Sequence, residues 1–244
     1  MKKKYVAIIF VFLFFISMII LLLVNDTNWF YDAAQYRNLG IECGWDVKNM
    51  TSGFRGWIFP YVHSICYKVG GRLGNTYMGY WIFSSFLFAF VFGIEFACVA
   101  RILGIKKEKE YLNYVWGGIC GIIFYVFFRG LFIYGLSDFF AFSLALFDII
   151  ILYYVVTEKQ KLYVKLFETF ILGIVLYATY NIRTIYLFLM VMCIFVMTIW
   201  QLYGKKLKQS VVTLLSCFCG MFVCSVPQSV LNNHLIGETV RKLG

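Results

Sequence analysis

Charged residues are scarce in this sequence. They make up 14% of the 244 residues, whereas hydrophobic residues make up 62%, and the mean hydropathy is +0.80. A soluble domain interrupts its apolar runs with polar faces about every ten residues, and the runs here continue well beyond that length. The composition therefore excludes a soluble domain and predicts an all-α integral membrane protein. The runs also lack the alternation of apolar and polar residues that builds membrane β-barrels.

Residues that usually mark metal or nucleophilic chemistry are also few. The only histidines, His63 and His234, are isolated, and the sequence contains no Ser/His/Asp set and no phosphate-binding glycine motif. Six of the eight cysteines fall inside apolar runs, where a thiol behaves as a small hydrophobe. Cys43 and Cys66 lie outside those runs, and whether they form a disulfide stays open. The pattern argues against a zinc site.

Long apolar runs are what the sequence has in abundance. Seven of them approach the roughly 20 residues that a helix needs to cross a bilayer. They lie at residues 5–24, 77–103, 111–128, 136–156, 164–180, 184–203 and 211–226. The first run lacks the small-residue cleavage site of a signal peptide, so we expect it to remain as a helix. The sequence predicts one transmembrane domain over residues 1–244, with about seven transmembrane helices and a long outer loop over residues 25–76.

Lysines distinguish the two sides of the membrane. Three short connections, "GIKKEKE", "TEKQKLYVK" and "YGKKLKQ", each carry three lysines. If these connections and the amino-terminal "MKKK" face the cytoplasm, every loop obeys the positive-inside rule. We therefore expect a multi-pass protein of the cell membrane with its amino terminus in the cytoplasm. The net charge of +10 then follows largely from topology and requires no nucleic-acid partner.

The outer loop begins with a segment of helical pattern, "DAAQYRNLGIECG". Ala33, Tyr36, Leu39 and Gly40 recur at three- and four-residue steps, so they share one helix face. Asp32 stands at the helix start, where a carboxylate caps the free amides for about 1 kcal/mol. Long ordered loops of this kind are usually functional.

A second segment of the outer loop, "FRGWIFPYVHSICYKVGG", also has helical periodicity. It predicts a short helix that lies in the outer membrane interface. Pro60, one of two prolines in the chain, fits the first turn of that helix. Gly70 and Gly71 are predicted to end it.

The order of polar residues in this loop resembles a known family. Asp32 is followed four residues later by Tyr36, and Arg55 precedes Pro60 within an aromatic stretch. In these features the chain resembles the amino-terminal part of the GT-C superfamily. Its members are multi-spanning glycosyltransferases that use lipid-phosphate-linked sugars.

Three later segments extend the resemblance over nearly the whole chain. "GLSDFFAFSLALF" places Asp138 at the outer start of the fourth helix, and "YATYNIRTIYLFL" places Arg183 where the chain turns back into the membrane. "VPQSVLNNHLIGE" resembles the proline-to-asparagine exit that follows the seventh helix in such proteins. Family members are usually longer, so we expect this chain to be an amino-terminal part, a truncated product or a minimal relative.

The resemblance implies transfer of a sugar from a polyprenyl-phosphate-linked donor to an acceptor on the outer face, in cell-surface glycan or glycolipid assembly. A phosphate leaving group needs no proton, so one carboxylate suffices as general base. The resemblance assigns that catalytic role to Asp32, with inversion at the anomeric carbon. It implies substrate-binding roles for Tyr36, Arg55, Asp138 and Arg183, since guanidinium groups pair with phosphate through two parallel hydrogen bonds.

Alternatives stay open at several of these positions. Asp26 is the rival base, and capping alone also explains Asp32. Asp138 either orients an arginine or holds a divalent ion with Asp32, and no other cofactor is assigned. Arg129 and Arg183 can each serve as headgroup anchors instead.

Three functional classes compete. A lipid-linked polysaccharide polymerase or flippase would use the same donor chemistry, and a truncated, non-catalytic membrane protein is the third class. A transporter usually places polar groups at the membrane midplane in helices related by internal symmetry, and this sequence shows no such symmetry. The expected partners are the polyprenyl-phosphate-linked donor and membrane lipids.

Two acids, Glu95 and Asp148, fall inside apolar runs in the half nearer the lysine-rich connections. Ionisable groups at that depth are costly and are usually paired or protonated. Contact with each other, with Arg101 or with Lys165 would form a local structural pair. A proton path is the alternative.

Overall fold

The computed structural model describes residues 3–24, 32–53, 56–103, 110–128, 137–158, 160–204 and 207–243. Almost all of these residues are helical, and none of them forms a strand. The all-α prediction is therefore confirmed.

Ten α-helices follow one another along the described residues: α1 Lys3–Val24, α2 Asp32–Cys43, α3 Ile58–Arg72, α4 Met78–Phe90, α5 Phe96–Ile102, α6 Glu110–Phe128, α7 Ser137–Thr157, α8 Leu162–Ile182, α9 Leu187–Tyr203 and α10 Leu207–Leu243. Two 3₁₀ helices, Val47–Asn49 and Thr184–Tyr186, lie between α2 and α3 and between α8 and α9. A π-helical segment, Val91–Glu95, joins α4 to α5 into one continuous helix.

Six helical stretches among the described residues are long and apolar enough to cross a bilayer: Val6–Val24, Met78–Ile102, Ser137–Thr157, Leu162–Ile182, Thr184–Tyr203 and Leu207–Thr239. The remaining predicted run corresponds to α6, whose apolar part, Leu112–Phe128, is shorter. The chain is therefore a membrane-embedded, multi-pass protein.

The end of α3 differs from the prediction. Pro60 does lie in its first turn, but the helix continues past Gly70 and Gly71 to Arg72. Gly74, with φ of 80°, follows at the turn. Gly70 is needed for a different reason, because a Cβ there would lie 2.5 Å from the carbonyl oxygen of Thr76. The sequence alone did not distinguish a glycine required for packing from one that ends a helix.

The last helix also differs from the prediction, which ended it at Val226. Helix α10 has 37 residues and continues through Pro227. Proline cannot donate to the carbonyl four residues earlier, here that of Val223. Beyond the proline, Leu231 is fully buried. Packing of the following turns therefore keeps the chain helical beyond the predicted helix end at Val226.

The chain forms two compact units, one of residues 1–44 and 60–143 and one of residues 45–59 and 144–244. In the first unit, α1 packs along α4, and aromatic rings surround the π-helical segment. The ring centroid of Phe92 lies 5.1 Å from that of Phe88 and 5.3 Å from that of Phe124. Such aromatic pairs each contribute about 0.5–1.5 kcal/mol beyond the area they bury.

In the second unit, α8 packs along α10 at backbone distance. A Cβ at Gly173 would lie 1.9 Å from the carbonyl oxygen of Cys217, and one at Gly220 would lie 2.1 Å from that of Phe170. Small residues permit this close approach between membrane helices. Apolar side chains fill the core of the unit: Val155, Leu172, Leu176, Cys193, Met197, Cys217 and Met221.

Adjacent glycines of α6 provide a test of such contacts in the first unit. A Cβ at Gly117 would lie 2.2 Å from the carbonyl oxygen of Phe92, whereas the nearest neighbour of one at Gly118 is Ile9 Cγ2 at 3.9 Å. We expect Gly117→Ala to destabilise the fold by about 1–3 kcal/mol, because the overpacked helix must shift. Gly118→Ala should be neutral or stabilising by up to about 1 kcal/mol, since alanine favours the helix. Thermal unfolding in detergent compares the variants, and equal midpoints would contradict the contact.

Candidate functional site

Helix α2 places the predicted base, Asp32, at its first residue. The helix buries Ala33, Tyr36 and Leu39 along one face, as the sequence pattern predicts. Asp32 itself is partly exposed.

Helix α2 is held against α3 at a glycine contact within the first unit. A Cβ at Gly40 would lie 2.7 Å from the carbonyl oxygen of Pro60 and 2.7 Å from Cβ of His63. Just beyond α2, Ser64 Oγ donates a hydrogen bond to the carbonyl oxygen of Gly44. The orientation of α2, and therefore of its first turn, is thus fixed by direct backbone packing.

Tyr36 links α2 to the start of α7. Its side chain is 2% exposed, and its hydroxyl oxygen accepts a hydrogen bond from Ser137 Oγ at 3.3 Å. Ser137 begins α7 and precedes Asp138, which is partly exposed. The structure therefore brings Tyr36 to the same helix start as Asp138, although 101 sequence positions separate the bonded pair.

An arginine of α2 was not singled out by the sequence analysis. The guanidinium carbon of Arg37 lies 5.6 Å from the ring centroid of Tyr77, a cation–π contact. Arg37 is partly exposed. It supplies positive charge to the first unit, and its place in "QYRN" directly after Tyr36 was the signal that could have found it.

Of the two predicted phosphate-binding arginines, Arg183 lies within the described residues. Arg183 lies where α8 ends and the 3₁₀ helix begins, as predicted, and its backbone N–H donates to the carbonyl of Thr179 at 3.1 Å. Its carbonyl accepts from the backbone N–H of Tyr186 at 3.0 Å. Arg55 lies outside the described residues, as do Arg129 and the rival acid Asp26.

A polar network in the second unit holds the chain on either side of residues 54–55. Asn181 Oδ1 accepts hydrogen bonds from the backbone N–H groups of Trp57 and Ile58, at 3.1 and 3.2 Å. These are orphan amides at the start of α3, so Asn181 acts as a cap supplied from another helix. Gly56, with φ of 70°, passes close to Asn181: a Cβ there would lie 2.3 Å from its carbonyl oxygen.

The same network continues to α10. Asn181 Nδ2 donates to Gln228 Oε1 at 3.1 Å, and Gln228 Nε2 donates to the carbonyl of Gly53 at 3.2 Å. Gln228 Nε2 also bonds Asn232 Oδ1 at 3.0 Å. We call this set, Asn181, Gln228, Asn232 and the backbone they bond, the amide network. Sequence analysis missed it, although Asn181 stands two residues before Arg183 and Gln228 directly follows Pro227.

The two buried acids have hydroxyl partners. Both carboxylate oxygens of Glu95, in the π-helical segment, lie 3.2 Å from Ser143 Oγ. Thr179 Oγ1 donates to Asp148 Oδ2 at 2.8 Å, and Asp148 Oδ1 has no hydrogen-bond partner among the described residues. Each acid is thus paired locally with a hydroxyl rather than with Arg101 or Lys165.

Cys43 and Cys66, whose pairing the sequence left open, do not form a disulfide in the structure. Cys43 and Cys66 are both free and buried, and burial raises the pKa of the Cys66 thiol to about 12. Cys66 is therefore almost fully protonated at neutral pH and is a poor nucleophile. No group of three or more His, Cys, Asp or Glu side chains suited to a metal occurs in the described part of the chain.

Comparisons of the chain with protein-family models, with curated proteins and with solved structures found no match.

Proposed function

We propose that this protein is a GT-C-type membrane glycosyltransferase that moves a sugar from a polyprenyl-phosphate-linked donor to an acceptor hydroxyl. The observation that supports it most is the bond between Tyr36 and Ser137. It joins the helix that begins at Asp32 to the helix start that holds Asp138. Two partly exposed carboxylates therefore lie at the starts of two connected helices, in a chain that is otherwise poor in charge.

In the proposed reaction, Asp32 accepts the proton of the acceptor hydroxyl while the oxygen attacks the anomeric carbon. The bond between that carbon and the phosphate oxygen breaks, and the phosphate leaves as an anion, with inversion at the anomeric centre. The electron pair of the broken bond stays with the phosphate, so no acid is required. Arg55 and Arg183 are assigned to that phosphate, because a guanidinium matches two of its oxygens.

Orientation forms part of the proposal. The lysines of the three short connections favour a cytoplasmic position for those connections and for the amino terminus. The starts of α2 and α7 then face the outside of the cell membrane. Lipid-linked sugars presented on that face are the proposed donors, and surface glycans or glycolipids are the proposed products.

The full chain, purified in nanodiscs, tests the proposal with a panel of polyprenyl-phosphate-linked hexoses and short saccharide acceptors. We expect release of polyprenyl phosphate together with a product one sugar longer than its acceptor. Products that grow by many units would favour a polymerase instead. If no donor in the panel is bound, cleaved or used for transfer, the glycosyltransferase proposal is wrong.

A further inference from the structure

A cavity of about 420 Å³ opens in the second unit at the ends of four helices. Its walls come from the end of α7, the first turn of α8, the end of α9 and the start of α10. Two lysine-rich connections, α7 to α8 and α9 to α10, emerge at the same ends. The cavity therefore lies at the depth where membrane-spanning helices meet phospholipid headgroups.

One wall of this cavity presents hydrogen-bond donors. Lys165 is only 7% exposed, and Gln201 is 3% exposed. Gln201 Oε1 accepts from Thr213 Oγ1 at 2.8 Å, but Gln201 Nε2 has no hydrogen-bond partner in the described part of the chain. A buried amide donor without a partner is costly. An anionic ligand oxygen would remove that cost.

Another part of the wall presents acceptors. Gln160 Nε2 donates to Glu158 Oε2 at 3.2 Å and to Glu168 Oε1 at 3.1 Å, which gathers two carboxylates around one amide. Gln160 Oε1 is buried and has no hydrogen-bond partner among the residues described. The cavity thus offers donors and acceptors to one ligand, which suits a zwitterion better than a simple anion. Trp200, 53% exposed, stands at its rim, as aromatic residues do at the headgroup layer.

We propose that the cavity binds the headgroup of an ethanolamine phospholipid. Lys165 and Gln201 donate to the phosphate, and the ammonium group donates to Glu158 and to Gln160 Oε1. Cationic side chains in pockets between membrane helices bind lipid headgroups, as Lys165 would here, and the carboxylate of Glu158 favours a headgroup that has N–H donors. A soluble phosphoethanolamine carries the same chemistry, so the source of the headgroup has to be tested.

Binding can be measured on the full-length protein in detergent by native mass spectrometry. The probes are phosphatidylethanolamine, phosphatidylcholine, which lacks N–H donors, phosphatidylglycerol, which lacks the cation, and free phosphoethanolamine. We expect retention of phosphatidylethanolamine over the other two lipids. Equal retention of phosphatidylcholine and phosphatidylethanolamine would overturn the proposal. If free phosphoethanolamine binds and the protein shows no preference among the lipids, the ligand is the soluble compound and the lipid proposal is wrong.

Variants distinguish binding of the lipid in the cavity from general contact of lipid with the protein surface. Lys165→Met and Gln201→Met should each weaken phosphatidylethanolamine binding roughly tenfold or more, the usual cost of losing a hydrogen bond to a charged group. Lys161→Met, at an exposed lysine one turn earlier, is the matched control and should leave binding unchanged. Glu158→Gln, at an exposed position, should reduce the preference for ethanolamine over choline without affecting folding. A loss in Lys161→Met equal to that in Lys165→Met, or an unchanged preference in Glu158→Gln, would refute the assignment.

Discussion

Replacing Asp32 with Asn is expected to slow sugar transfer by roughly 10²–10⁴-fold, the usual effect of losing a general base. The variant should fold and insert normally, because Asn caps a helix about as well as Asp. The buried face of α2, from Ala33 to Cys43, does not depend on the carboxylate. Donor binding should also persist, since the proton is lost by the acceptor and not by the donor. Single-turnover transfer rates, measured with donor affinity and thermal unfolding, separate these quantities.

Asp26→Asn is the matched control for that experiment. It also replaces an acid of the segment between the first apolar run and α2, but it lies outside the Asp32 to Tyr36 spacing, and we expect a mild effect. Full activity in Asp32→Asn would show that Asp32 is not the general base and that it only caps the helix. Asp26 or Asp138 would then be the next carboxylate to test.

Replacing Arg183 with Lys is expected to weaken donor binding by roughly 10- to 100-fold, because lysine keeps the charge but loses the planar pair of donors. The turn itself should survive. Its hydrogen bonds from Arg183 to Thr179 and from Tyr186 to Arg183 are made by backbone groups. Binding of a polyprenyl-phosphate sugar to the purified chain, measured by titration, gives the effect directly.

The control for Arg183→Lys is Arg101→Lys. Arg101 is exposed at the end of α5 and has no assigned role in donor binding. Arg55→Lys is expected to follow Arg183→Lys if both guanidinium groups bind the phosphate. If the affinity for the donor is unchanged in both the Arg55 and the Arg183 variants, these arginines do not bind the phosphate and serve as headgroup anchors.

Local patterns predicted the helices and the buried face of α2 well. An apolar run of spanning length is expected to be helical in a membrane, because a helix lets each backbone N–H and C=O group form its hydrogen bond within the same segment. Tyr36 and Leu39 were placed correctly for a similar reason, because helical spacing alone determines which residues share a face. Asp32 at the start of α2 follows from the same pattern.

Contacts between distant segments could not be predicted in this way. The bond from Ser137 to Tyr36 joins residues 101 positions apart, and the bond from Trp57 to Asn181 in the amide network joins residues 124 positions apart. Nothing in the local pattern of "YNIR" distinguishes an amide that caps α3 from one that faces solvent. The continuation of α10 through Pro227 depends likewise on tertiary packing, which outweighs the local tendency of proline to end a helix.

The π-helical segment Val91–Glu95 affects how this span tolerates insertions and deletions. A π turn contains one residue more than an α turn between its hydrogen-bonded groups. Deleting one residue there would restore a regular α-helix and keep the faces of α4 and α5 in their present phase. The same deletion inside α4 would rotate the preceding face by about 100° relative to α5. Within this helix, a one-residue deletion is therefore better tolerated at Val91–Glu95 than inside α4, although it would move the Phe92 carbonyl relative to Gly117 and Glu95 relative to Ser143.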